Sequence, residues 1–167
     1  MAEEIVNKVA KSGLITLELS DFFPEGERVL YDIKDNLWQG LALKEKDFRV
    51  FIKTNDWSKY ANKHVAITCS VDAIVPIWAY MLLSTALQPY AKTVIFGNLE
   101  TLETILFNTE LRKIKGEDYL DARVIIKGCS DKTIPISAYL TLTTKLQPFV
   151  KSLMFGEPCS TVPLYKK

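Results

Sequence analysis

Three cysteines, each followed by a serine, are the residues of this sequence whose type and spacing could carry chemistry. An odd number of cysteines cannot pair completely within one chain, and a reducing cytoplasm keeps thiols free unless they hold a metal or do redox chemistry. A thiolate beside the start of a helix has a lowered pKa and binds metals, and three sulfur ligands suit zinc, copper(I) or an iron–sulfur cluster. The pairs are Cys69 with Ser70, Cys129 with Ser130, and Cys159 with Ser160.

An internal repeat indicates how the chain positions these cysteines. When the sequence is shifted by 59 residues, His64 to Gly97 aligns without gaps with Arg123 to Gly156, and 15 of the 34 aligned residues are identical. Two unrelated segments of average composition would share about two residues over this length. The chain therefore contains a duplicated unit.

Each copy of the repeat has the pattern of a strand, a helix and a second strand. The first strand is a continuous β-branched run, which is typical of a strand covered on both faces. Pro76 and Pro135 begin the helices, because the missing N–H of proline costs nothing in a first turn. Such a unit connects two parallel strands. The predicted strands are 65–68, 93–96, 124–126 and 152–155, and the predicted helices start at Pro76 and Pro135 and are ended by Pro89 and Pro148.

The remaining segments are expected to complete one α/β domain over residues 1–167. Residues 34–43 fit a strand or a helix equally well. The predicted fold is a mostly parallel sheet built from two duplicated strand–helix–strand units with extra N-terminal strands. The further predicted elements are strands at 13–19 and 28–33, on either side of a turn, and helices at 44–54 and 99–114.

In this fold the three cysteines are expected to meet at one edge of the sheet. Two of them follow the first strands of the two copies and the third follows the last strand, and open α/β folds bind ligands at the carboxyl ends of their strands. Two repeated aspartates would supply a fourth ligand or cap the helices, and the serines would donate hydrogen bonds to sulfur. The predicted metal site comprises Cys69, Cys129, Cys159, Asp72 and Asp131, with Ser70, Ser130 and Ser160 around them.

Three functional hypotheses follow from this site. The first is a cytoplasmic metal-binding or iron–sulfur-related accessory protein that holds zinc, iron or an iron–sulfur cluster and has a protein partner in metal or iron–sulfur handling. The alternative is a non-catalytic binding scaffold or dimerisation module, a homodimer with packed, inert cysteines, because free cysteine is often a small buried apolar residue. The third is a small-molecule enzyme that uses one activated cysteine as its nucleophile.

Composition and spacing argue against several other classes of protein. The chain has 21 basic and 20 acidic side chains, and a net charge of +1 does not favour binding to nucleic acid. The longest apolar run, Ile74 to Leu83, is about half of the roughly 20 residues that cross a bilayer. The N-terminus lacks the features of a signal peptide, so a cytoplasmic location is expected. His64 begins the strand that ends near Cys69, roughly 16 Å away, which is too far for it to activate that thiol.

Several stretches of the sequence resemble one known family. They are Met1 to Leu17, Gly26 to Phe48 with its Asp-Ile-Lys-Asp motif, the segment Cys-Ser-Val-Asp-Ala-Ile-Val-Pro that begins at Cys69, and Gly156 to Lys166. The family consists of small bacterial proteins catalogued as domain of unknown function 2480, and the resemblance covers essentially the whole chain. It implies no activity and no site residue, because the family has none assigned.

Overall fold

The computed structural model describes residues 13–128 and 131–167, and in these ranges the chain forms seven β-strands and four α-helices. Helices alternate with strands that are mostly parallel, so the predicted α/β class is confirmed. No helix in these ranges is both long enough and apolar enough to cross a membrane. In chain order the elements are β1 (Leu14–Glu18), β2 (Arg28–Asp32), α1 (Glu45–Thr54), β3 (His64–Thr68), α2 (Ile77–Leu87), β4 (Thr93–Phe96), α3 (Leu99–Leu111), β5 (Arg123–Lys127), α4 (Ile136–Leu146), β6 (Ser152–Glu157) and β7 (Ser160–Lys166).

Contacts within the chain divide it into two compact units, and each unit contains one sheet. The central unit is Glu25–Glu103, and the terminal unit combines residues 13–24 with Thr104–Lys167, so that the boundary falls within α3. Each copy of the repeat builds its own sheet, with β3 and β4 in the central unit and β5 and β6 in the terminal unit. The predicted strand–helix–strand pattern is therefore confirmed, but the strands form two sheets where one was expected.

The central unit is built on the strand order β2–β3–β4, and all three strands are parallel. The middle strand is covered on both faces, which explains its continuous apolar sequence. Three of its residues are fully or almost fully buried: Val65, Ala66 and Ile67. Helix α2 packs against the same core through side chains four residues apart, because side chains at that spacing lie on one face of a helix. These residues are Ala79, Leu83 and Leu87.

The terminal unit is built on the strand order β1–β5–β6–β7. Strand β5 is parallel to both of its neighbours, whereas β7 is antiparallel to β6. Helix α4 packs into the core through the residues that correspond in the repeat to the buried residues of α2. They are Ala138, Leu142 and Leu146. The two copies thus use the same helix face and the same strand pair to form their cores.

Three local structures differ from the sequence expectations. Strand β7 was not predicted, and it lies at the edge of its sheet, where Pro163 is tolerated because no ladder hydrogen bond is lost. The ambiguous residues 34–43 contain the end of a 3₁₀ turn, Ile33–Asn36, and a β-bridge between Trp38 and Ala42. The helix between the two copies ends at Leu111.

Candidate functional site

The cysteines expected to form one cluster belong to different units. Cys69 follows β3 in the central unit, is partly exposed, and donates a hydrogen bond through Sγ to the carbonyl oxygen of Val71 at 3.3 Å. Cys159 is exposed in the turn between β6 and β7 of the terminal unit. Cys129 and Ser130 lie outside the described residues. The described cysteines are therefore not brought together.

The two repeated aspartates do not cap the helices. The N-cap positions of α2 and α4 are Pro76 and Pro135, and neither helix has a side-chain hydrogen bond at its cap. Asp72 and Asp131 precede these prolines by four residues, and both are exposed. They therefore occupy corresponding exposed positions in the loops before the two helices.

No metal centre is formed by the part of the chain that the structure describes. Residues 13–128 and 131–167 contain no group of three or more histidine, cysteine, aspartate or glutamate side chains that could hold a metal ion. The predicted metal-binding or iron–sulfur-related function through a three-cysteine cluster is therefore wrong. The physical reason is that the copies build separate sheets, so the ends of β3 and β6 do not share the expected edge. The packed cysteines of the alternative hypothesis do not fit Cys159, which is exposed.

Asp32, the last residue of β2, organises the carboxyl edge of the central sheet instead. Its Oδ1 accepts hydrogen bonds from the backbone N–H groups of Ser70 and Lys34, each at 3.1 Å, and the Lys34 Nζ lies 3.3 Å from its Oδ2. Burial alone would raise the pKa of the Asp32 carboxyl, but these hydrogen bonds outweigh burial and hold the pKa below its usual value. The ionised carboxylate thus ties the loop after β3 to the end of β2.

Tyr80 on α2 approaches the same edge. Its ring packs edge-on against Phe96 of β4, with 5.3 Å between the ring centroids. Burial raises the pKa of the Tyr80 hydroxyl, and the nearby Cys69 and Asp32 raise it further, so the hydroxyl stays protonated at neutral pH. The uncharged Tyr80 side chain therefore lies between the polar carboxyl edge around Asp32 and the apolar side chain of Phe96.

The single histidine of the chain lies at the other end of the sheet. His64 begins β3 and is buried, whereas Cys69 follows the carboxyl end of that strand. The His64 Nε2 donates a hydrogen bond to the Glu25 carbonyl oxygen at 2.9 Å, and its Nδ1 lies 3.0 Å from the Thr93 hydroxyl. Because both ring nitrogens are engaged at the amino end, His64 is not placed to take a proton from Cys69.

An open groove of about 410 Å³ runs between α2 and β4 in the central unit. Met81 of α2 is 64% exposed and Phe96 of β4 is 68% exposed, so two large apolar side chains face solvent along it. Exposed apolar surface of this kind in a folded protein commonly marks a binding site. We call this feature the α2–β4 groove, and its lining residues are Ile67, Tyr80, Met81, Ser84, Thr85, Val94, Ile95 and Phe96.

The strand that forms one wall of this groove is an edge strand. Within the described ranges β4 pairs only with β3, whereas the equivalent strand β6 pairs with β5 on one side and with β7 on the other. In the β6–β7 pair Val162 lies opposite Phe155, and Phe155 corresponds to Phe96 in the repeat. One copy of the repeat therefore carries a strand at the position that the other copy leaves open.

The sequence interpretation missed this groove because it followed the cysteines. The sequence pattern assigns no functional role to Met81 or Phe96. A usable signal was the unequal continuation of the two copies: the second is followed by the apolar segment Val162 to Tyr165, whereas helix α3 begins at Leu99, directly after the first. That asymmetry predicts that the two strand edges cannot be covered in the same way.

The fold and the groove define an α/β protein with a duplicated crossover unit, in which the edge of β4 beside the groove is unpaired within the described residues. The chain matches the family model described as "Protein of unknown function (DUF2480)" over residues 3–167, and it belongs to that family. The family assignment made from the sequence is thereby confirmed. No curated protein and no solved structure matches the chain.

Proposed function

We propose that this protein is a non-catalytic binding module, and that its α2–β4 groove receives an extended segment of a partner protein, which pairs antiparallel with β4. The observation that carries the proposal lies within the chain itself. In the second copy of the repeat the equivalent edge is filled by β7, which runs antiparallel to β6. The first copy has the same strand and the same helix but no strand of its own at that position in the described ranges.

The composition of β4 supports a receptive edge. Proteins usually protect an edge strand with charged residues, proline or a bulge, because unpaired N–H and C=O groups are a template for another chain. Strand β4 reads Thr-Val-Ile-Phe, and it contains neither a charge nor a proline. In strand addition the backbone hydrogen bonds supply affinity, and pockets for alternate side chains supply specificity.

Strand β7 indicates what the partner segment would look like. Its residues Val162 and Tyr165 lie opposite Phe155 and Leu153 of β6. The repeat aligns these two β6 residues with Phe96 and Val94 of β4. The proposed segment therefore places a β-branched or other apolar side chain against the Phe96 ring, and a larger side chain further along β4.

The test uses the segment that already occupies the equivalent edge. A fluorescently labelled peptide with the sequence of residues 160–167, Ser-Thr-Val-Pro-Leu-Tyr-Lys-Lys, is titrated with the full chain, and anisotropy gives the Kd. A charge in the groove should weaken binding at least tenfold, because a carboxylate would be left against apolar surface. We expect this result for Met81→Glu.

The chain offers a matched control for that variant. Leu140 corresponds to Met81 in the repeat, and each of the two side chains is 64% exposed. Leu140→Glu should leave peptide binding unchanged, since the edge of β6 is already occupied by β7. Equal loss of binding in both variants, or no saturable binding of the peptide to the unmodified chain, would contradict the proposal.

A second copy of the chain is the competing occupant of the groove. Sedimentation velocity distinguishes the two occupants. If the chain is a dimer that Met81→Glu converts to a monomer, the groove serves self-association and the partner segment is excluded. If the unmodified chain is a monomer, the partner segment is supported. We further propose that the module acts in the cytoplasm and, because its charge is balanced, without nucleic acid. Cell fractionation and an electrophoretic mobility assay test these two points.

A further inference from the structure

A second groove, of about 450 Å³, lies in the terminal unit at the amino ends of the parallel strands. It differs from the α2–β4 groove in charge, because three cationic side chains contribute to it and no carboxylate does. Apolar side chains and the hydroxyl-bearing side chains of Ser152 and Tyr165 also line it. The residues that matter for the argument are Arg123, Lys151, Lys166, Ser152, Met154 and Pro163.

The cations of this groove are held on one face by the register of the sheet. Arg123 of β5 and Lys166 of β7 both lie directly opposite Ser152 of β6. Because neighbouring strands are about 4.8 Å apart, the two cations flank the Ser152 hydroxyl with roughly 10 Å between their Cα atoms. Lys151 immediately precedes Ser152. All three cations are exposed, and none forms an ion pair with a carboxylate of residues 13–128 or 131–167.

At the equivalent strand end of the central unit, the residue that corresponds to Arg123 is buried, so the exposed cation is a feature of the terminal unit alone. His64 corresponds to Arg123 in the repeat, but it is only 6% exposed and is hydrogen-bonded to Glu25 and Thr93. Gly26 covers its ring so closely that a Cβ on that glycine would lie 2.8 Å from the His64 Nε2. Among the residues that the structure describes, one copy therefore has a covered strand end and the other has an exposed, basic one.

We infer that the open groove binds a small amphipathic anion, whose carboxylate or phosphate head group lies between Arg123 and Lys166 and whose apolar part rests on Met154 and Pro163. A guanidinium matches the geometry of either head group, and an ammonium adds a second charge. The volume is at the small end of the range for small-molecule sites. The inference does not depend on the proposed partner segment, because the two grooves lie in different units.

Four probes separate head group from chain: octanoate, octyl phosphate, inorganic phosphate and octanol. Each is titrated into the isotopically labelled full chain, and amide shifts in NMR spectra give both the site and the Kd. Octanoate and octyl phosphate should shift amides of β5, β6 and β7 in a saturable way. They should bind at least tenfold more tightly than octanol or inorganic phosphate, since each of these lacks one half of the recognition. Whichever octyl anion binds more tightly identifies the head group.

Two substitutions assign the charge, and one assigns the apolar contact. Arg123→Gln and Lys166→Gln should each weaken octyl-anion binding by about 2- to 5-fold, which is the usual worth of one exposed charge contact. Met154→Ala should weaken the octyl anions and leave the response to inorganic phosphate unchanged. The matched control is Lys92→Gln, at the position of the repeat that corresponds to Lys151, and it should have no effect.

Several results would overturn the inference. They are the absence of saturable shifts at millimolar octyl anion, octanol binding as tightly as octanoate, inorganic phosphate binding as tightly as octyl phosphate, and unchanged affinities in both charge variants. Unaltered amide spectra outside the altered position show that a variant is folded, so a loss of binding cannot be mistaken for unfolding.

Discussion

Phe96 and Phe155 occupy corresponding positions in the two copies, but their truncation to alanine should affect stability and peptide binding differently. Each ring packs edge-on against the tyrosine of its own copy, with centroid distances of 5.3 and 5.9 Å to Tyr80 and Tyr139. They differ in cover: Phe96 is 68% exposed on an open edge, whereas Phe155 is 37% exposed beneath the β6–β7 pairing. We predict that Phe96→Ala weakens binding of the partner segment and costs some stability, whereas Phe155→Ala costs more stability and leaves binding unchanged.

The expected loss of stability follows from the buried area. A phenylalanine side chain has roughly 200 Å² of surface, and Phe96, which is 68% exposed, buries about 60 Å² of it, worth about 1.5 kcal/mol at ~25 cal/mol per Å². Adding the edge-on contact with tyrosine, worth about 1 kcal/mol, gives about 2.5 kcal/mol for Phe96→Ala. The same reasoning gives about 4 kcal/mol for Phe155→Ala.

The expected loss of binding comes from the exposed part of the ring. About 130 Å² of Phe96 is available to a partner segment, and an extended strand that covers more than half of it would gain about 2 kcal/mol. Truncation to alanine should therefore weaken the peptide of residues 160–167 by about 30-fold. Phe155→Ala should leave the Kd of this peptide within a factor of two of the original value.

Two optical signals allow the comparison to be made on the full chain. All three tryptophans lie within the central unit, so urea unfolding followed by tryptophan fluorescence reports that unit, and far-UV circular dichroism reports both units. Anisotropy of the labelled peptide gives the Kd for the same samples. Equal stability losses in the two variants, or a Kd for Phe96→Ala within threefold of the original, would refute the assignment of Phe96 to a binding surface.

Two further predictions concern the central unit and can be followed by the same fluorescence signal. Gly26→Ala should lower the free energy of unfolding by about 2–4 kcal/mol. Gly26 has a φ of +128°, which strains a side chain, and the new Cβ would press on the buried His64 ring. A loss of stability below about 0.5 kcal/mol would contradict this prediction. Asp32→Asn should cost about 1–3 kcal/mol at pH 7, since a charged acceptor of two backbone N–H groups is lost. The pKa of Asp32 is lower in the folded state than in the unfolded state. Its contribution to stability is therefore present above the unfolded pKa of about 4 and is lost as the pH falls through the folded-state pKa. An Asp32→Asn variant whose loss of stability is the same at pH 2.5 and pH 7 would refute this prediction.

The secondary structure of the two copies was predictable because local pattern and tertiary role agree there. Continuous β-branched residues form strands that are buried on both faces, and an apolar residue at every fourth position forms the buried helix face. Leu83 and Leu142 show this directly, since both are fully buried at corresponding positions. The short helix over residues 45–54 was also predicted to within one residue.

The arrangement of the cysteines was not predictable from local sequence patterns, because it depends on how strands from distant parts of the chain pair. The sequence shows that Cys69 and Cys159 each follow a strand, but it does not show that these strands belong to different sheets. That outcome is decided by β1 pairing with β5 and β2 pairing with β3. A shared sheet edge was therefore an assumption about non-local contacts, and local patterns carry no information about them.

The repeat remained the most informative feature because each copy serves as a control for the other. Where the copies agree, as at the tyrosine–phenylalanine contacts, conserved packing is sufficient as an explanation. They disagree at two places: one strand edge is covered by β7 while its counterpart β4 is open, and one strand end is sealed by His64 while its counterpart is lined by Arg123. Both copies bury the same positions of their helices, so this shared packing does not by itself explain the two differences. We propose that binding of a strand at the first place, and of an anion at the second, explains them.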